Sequence, residues 1–80
     1  MFRTLVKTDT MAIDEQTYAV RYFEVRTLRG GRRFSAEVLL GPEDRIILDD
    51  DSITNLEAKT TRLVPATVYS RLLAGRANAA

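Results

Sequence analysis

Eighty residues hold one hydrophobic core and leave no room for a second domain, since a chain of this size buries only about 60% of its unfolded surface. With no Cys there is neither a disulfide framework nor a thiolate metal site, and with no His as well, Ser–His and Cys–His nucleophiles are excluded. A formal net charge of +1 excludes a strong global field towards nucleic acid or an anionic membrane, while 45% hydrophobic and 29% charged residues are proportions of a folded domain.

Residues 1–13 show neither a period of 2 nor one of 3.6 and read as a flexible N-terminal arm. The alternative is a short edge strand from Phe2 to Lys7, because Thr4, Leu5 and Val6 tolerate extended backbone. Lys7 and Asp9 interrupt the first apolar stretch too early for the core of a secretory signal. Runs such as Ile46-Ile47-Leu48 fall far below the roughly 20 apolar residues of a spanning helix. Together with the lack of Cys, these features point to a soluble, cytoplasmic protein outside any membrane.

The first strand is expected over Thr17–Leu28, where Phe23 and Val25 alternate with Tyr22, Glu24 and Arg26. Gly30-Gly31 supplies the positive φ angles of a tight hairpin turn, and Arg33–Leu40 returns as the second strand. A loop of two or four residues centred on the glycines sets Phe23 opposite Val38, Val25 opposite Ala36 and Glu24 opposite Glu37. Gly41-Pro42-Glu43-Asp44 reads as a second turn before a third strand, Arg45–Leu48. In this register Phe23, Val25, Phe34, Ala36, Val38, Leu40, Ile46 and Leu48 share the core face. Tyr22, Leu39 and Ile47 then line up as an apolar row on the opposite face.

Asp49-Asp50-Asp51-Ser52 is a helix-start signal, followed by Ile53, Leu56, Thr60 and Leu63 at helical spacing. Thr60, Thr61 and Val64 lower helix propensity, so Lys59–Val64 is either helix or a short fourth strand. Pro65 disfavours helical geometry at Val64 and suits the first position of a second helix, which Val68, Tyr69, Leu72 and Leu73 continue until Gly75. Leu72 is expected in the core, and residues 76–80 are expected to fray.

Candidate chemistry is sparse. The facing pair Glu24 and Glu37 could do acid–base work only if buried, and its place beside a basic turn makes it a solvated pair. The aspartate run lacks the alternating ligands and central Gly of a calcium loop, so helix capping accounts for it without a metal. Arg26, Arg29, Arg32 and Arg33 flank the glycine turn and could meet phosphates on a two-stranded ribbon. Charge is segregated: residues 21–33 carry five Arg against one Glu, and residues 43–57 carry six acids against one Arg. Ion pairs within the fold account for such blocks without a partner.

These readings converge on an α+β domain over residues 14–75, a three-stranded antiparallel meander with one or two C-terminal helices packed on one face. The expected function is protein–protein interaction or self-association through Tyr22, Leu39 and Ile47, with no catalytic activity, cofactor or metal. A nucleic-acid-binding module using the basic hairpin is the alternative.

Overall fold

The computed structural model describes residues 2–79. Four strands precede one helix: β1 (Phe2–Ile13), β2 (Gln16–Arg26), β3 (Arg32–Gly41), β4 (Asp44–Asp50) and α1 (Ile53–Ala79). The strands form an antiparallel meander in the order β1-β2-β3-β4. The α+β class and the C-terminal helix agree with expectation, but the strands number four rather than three. No helix among the described residues is long and apolar enough to cross a membrane.

The additional strand is β1, in place of an arm. It pairs with β2 from Phe2↔Arg26 to Ile13↔Gln16, with an irregularity between Leu5 and Lys7 that leaves Val6 outside the ladder. Its irregular hydrophobic pattern follows from its position, because an edge strand takes its stability from backbone pairing to one neighbour. Asp14 adopts φ 55 in the two-residue turn to β2, a conformation that Asp tolerates better than most residues.

The β2–β3 turn alters the expected register. It spans residues 27–31, held by Thr27 N–H donating to the Gly31 carbonyl at 2.9 Å and Gly30 N–H to the Thr27 carbonyl at 3.0 Å. The Thr27 hydroxyl also accepts from Gly31 N–H at 3.0 Å, and Gly30 supplies the required positive φ of 80°. Arg26 therefore pairs with Arg32, Phe23 with Ser35 and Tyr22 with Ala36. An odd-length loop reverses the parity of β2 against β3, and every β2 side chain changes face. Val20 and Tyr22 thus join Ala36, Val38 and Ile46 in the core, while Phe23 and Val25 point to the other side. The expected facing of Glu24 and Glu37 disappears for the same reason, since Glu24 pairs with Phe34 and Glu37 with Arg21.

The β3–β4 turn is tighter than expected, with Gly41 opposite Asp44 and an irregularity at Leu40. Val38 lies opposite Ile46 and Ala36 opposite Leu48, whereas a three-residue loop would set Leu40 beside Ile46 and Val38 beside Leu48; the difference of two residues preserves the faces.

Ser52 caps α1: its carbonyl accepts from Leu56 N–H at 2.9 Å and its hydroxyl from Asn55 N–H at 3.3 Å. Lys59–Val64 is helical, and α1 passes through Pro65 and Gly75 without the expected break or stop. Tertiary packing overrides local propensity here. Leu56, Thr60, Val64 and Val68 recur every fourth residue as a buried stripe on the sheet, and they hold both sides of the proline in place. The buried Thr60 hydroxyl donates to the Leu56 carbonyl at 2.8 Å, so it carries no unmet polar group into the core.

Pairing of Arg71 with Asp44 marks where the helix passes the end of β4. Tyr69, Leu72 and Leu73 are exposed around that point, so Leu72 is not a core residue. The expected fraying at 76–80 falls on residues whose side chains lie outside the described ones; the helical path itself is described to Ala79.

Candidate interaction face

The helix covers only one side of the sheet. The other side presents Arg3 and Leu5 from β1, Arg21 and Phe23 from β2, Arg33, Glu37 and Leu39 from β3, and Arg45 and Ile47 from β4, as strand parity and register require.

Glu37 is the centre of this face. It sits on the inner strand β3 between Arg21 and Ile47 and is only 3% exposed, an unusual burial for a carboxylate. Three guanidinium groups surround it: Arg21 donates to Glu37 Oε1 at 2.7 Å, and Arg3 and Arg45 stand 3.7 and 3.6 Å from Oε2. The first is a charge-assisted hydrogen bond, and the other two are looser ion pairs. The Arg3 guanidinium also lies 4.0 Å from the centre of the Phe23 ring, which explains how a large aromatic side chain is buried on a face with no second layer. Beside this cluster Leu39 and Ile47 remain open, at 42% and 57% exposure. They are diagonal neighbours across β3 and β4, since Leu39 pairs with Arg45 and Glu37 with Ile47.

Leu39 and Ile47 therefore occupy the face that the sequence pattern assigned to them, and Tyr22 does not. Tyr22 is buried beneath the helix, and burial pushes its phenol pKa upwards. The apolar row across three strands is replaced by an aliphatic pair flanked by arginines.

The hairpin arginines do not form a common surface. Arg26 and Arg32 point to the helix side, where they lie 3.8 and 3.0 Å from Glu24, and the Arg32 guanidinium stands 5.9 Å from the Phe34 ring. Arg33 points the opposite way and pairs with Asp49 at 3.0 Å and with Asp51, contacts that raise its pKa through the Asp49 hydrogen bond first. Arg29 is exposed in the turn itself. Three of the four thus already engage carboxylates of this chain.

The aspartate run is likewise occupied from within. Asp49 and Asp51 hold Arg33, while Lys59 lies 3.0 Å from Asp50 and holds its carboxyl below the usual range, helped by the Asp51 backbone N–H. On the helix side, a cleft of about 400 Å³ between β1 and α1 is lined by Asp9, Met11, Tyr22, Glu57 and Pro65, and a Lys7–Glu57 ion pair lies beside it.

Arg3, Arg21, Glu37 and Arg45 were not legible as a group in the sequence. The available signal was Glu37 itself, a carboxylate between Ala36 and Val38 in the most apolar strand. Its partners come from three other strands, and only the register brings them together.

Replacing Glu37 with Gln keeps side-chain volume but removes the counter-charge of three arginines. The expected loss is about 1–2 kcal/mol, held down because the guanidinium groups remain about half in water. Urea denaturation should show that loss shrinking as added salt screens the repulsion between the arginines. A Glu37→Gln variant as stable as the parent at low salt would mean that the cluster contributes nothing to the fold.

No family model matches this chain, and neither a curated protein nor a solved structure matches it.

Proposed function

We propose that this chain is a protein-binding module that docks its partner on the outer face of the sheet and performs no catalytic step. One observation supports this reading above the rest: Leu39 and Ile47 lie open beside three arginines on a sheet face that no helix among the described residues covers. An antiparallel sheet with one solvated face ordinarily alternates to polar residues on that face. Arginine is enriched in protein–protein interfaces, and the exposed aliphatic side chains beside it supply apolar surface that a partner can bury.

Nucleic acid fits the arrangement less well. The hairpin arginines diverge to opposite faces, and among the described residues of the outer face the one aromatic ring, Phe23, is buried beneath Arg3, so no open platform for base stacking accompanies the charge.

The test is a photo-crosslinking residue, p-benzoylphenylalanine, placed at Ile47 and, as a control, at the exposed helix position Arg62, with irradiation in the source cells. A polypeptide adduct at position 47 and none at position 62 is expected. No adduct at position 47, or one removed by nuclease but not by protease, would overturn the proposal.

A further inference from the structure

We infer that the occupant of the outer face is an acidic segment of another protein, with carboxylates interleaved with apolar side chains, and not a second copy of this chain pairing face to face. The inference rests on the docking role proposed above and names its chemistry.

Charge carries the argument. Three guanidinium groups converge on one carboxylate, so the centre of the face holds an excess of two positive charges. Glu37 is buried, whereas the side chains of Arg3, Arg21 and Arg45 are 52%, 43% and 59% exposed. An incoming partner therefore meets guanidinium edges and not the carboxylate beneath them. The carboxylate still has a role, because it fixes the arginines in position before any partner arrives, which lowers the entropy lost on binding. Arg33 adds nothing to the excess, since Asp49 and Asp51 both hold it and leave that corner of the face with one net negative charge.

A second copy docked with its two-fold axis through Glu37, where the apolar pair and the arginines would both be buried, would set each arginine cluster against its own copy. Like charges so placed oppose association, and the few aliphatic groups on each face would have to overcome that repulsion. A carboxylate-bearing partner gains from the same field. Bidentate contact with guanidinium edges gives it orientation, and Leu39 and Ile47 give it an apolar anchor that neither a simple anion nor a phosphate backbone can use.

The probes are four: a short peptide alternating glutamate with leucine, its lysine–leucine counterpart, polyglutamate, and single-stranded RNA of mixed sequence. Each is titrated into isotope-labelled protein and followed by amide and arginine side-chain NMR signals. The glutamate–leucine peptide should shift Arg21, Leu39, Arg45 and Ile47 and bind more tightly than polyglutamate. Its affinity should fall at least about tenfold between low and roughly 0.3 M salt. The double variant Arg3→Glu/Arg45→Glu, which leaves the close Arg21–Glu37 bond in place, should lose at least about tenfold in affinity with unchanged circular dichroism. If it fails to fold, Arg45→Gln alone should still weaken binding by a few fold.

Equal binding of the two leucine peptides, failure of all four probes to bind, or tighter binding of RNA on the same signals would overturn the inference. So would a sedimentation profile showing a dimer that Arg45→Glu disrupts. The two readings fail separately. A polypeptide adduct at position 47 that survives in the arginine variant would remove the acidic-partner inference and leave the docking role standing. Loss of the adduct in the parent protein removes both.

Discussion

Leu56→Ala is expected to destabilise the domain by about 2–5 kcal/mol, because Leu56 is the largest fully buried side chain among the described residues and its truncation removes apolar contacts and leaves a cavity in the core. It sits on the first turns of α1 against the β3 and β4 side of the sheet, and among the described residues α1 is the one layer covering that face. In a domain of this size the loss approaches the whole stability, so the variant should be largely unfolded at physiological temperature. Leu72→Ala is the matching control. Its side chain is 51% exposed past the end of β4, and truncation should change stability by less than about 0.5 kcal/mol. Thermal unfolding followed by circular dichroism distinguishes the two. Equal losses at both positions would mean that the helix lies on the sheet along its full length, contrary to the described packing.

Pro65→Ala should stabilise the protein by about 1–3 kcal/mol. Pro65 lies in the interior of α1, where it lacks the N–H that would bond to the Thr61 carbonyl and where its ring crowds that carbonyl. Alanine restores the bond and has the highest helix propensity. Part of the gain is offset because Pro65 also lines the cleft beside Tyr22 and Met11, and a smaller side chain loses those contacts. Val64 and Val68 are buried on either side and should keep the helix docked in the same orientation. A higher unfolding midpoint with equal or greater helical dichroism is the expected result. A lower midpoint would show that the proline sets a bend on which the Val68 contact depends.

Several features of this protein were determined locally and could be read along the chain. The glycine turn, the Pro42-Glu43 turn, the apolar content of β3 and β4, and the Ser52 cap depend on residues within a few positions of one another, where backbone preference and side-chain period act directly. The α+β class follows from them, because two or more apolar strands before an amphipathic helix have few ways to bury their surfaces. The assignment of Ala36 and Val38 to one face followed from the strand period, and that of Ile46 from the period together with an assumed three-residue turn whose parity the structure keeps.

Tertiary structure decided the rest. Whether the β2–β3 loop holds an even or an odd number of residues depends on the hydrogen bonds that Thr27 exchanges with Gly30 and Gly31, and that parity moves Tyr22 beneath the helix and Phe23 to the outer face, where it is still buried. β1 became a strand over Phe2–Ile13 because an unpaired edge of β2 was there to receive it; locally only Thr4, Leu5 and Val6 favoured extended backbone, and they marked no more than a short edge strand to Lys7. Helix α1 persists through Pro65 because contacts with the sheet on both sides outweigh one missing hydrogen bond. The arginine cluster belongs to the same class. Arg3, Arg21 and Arg45 are ordinary surface residues in the sequence, and they become a site only where four paired strands bring them around the buried carboxylate of Glu37.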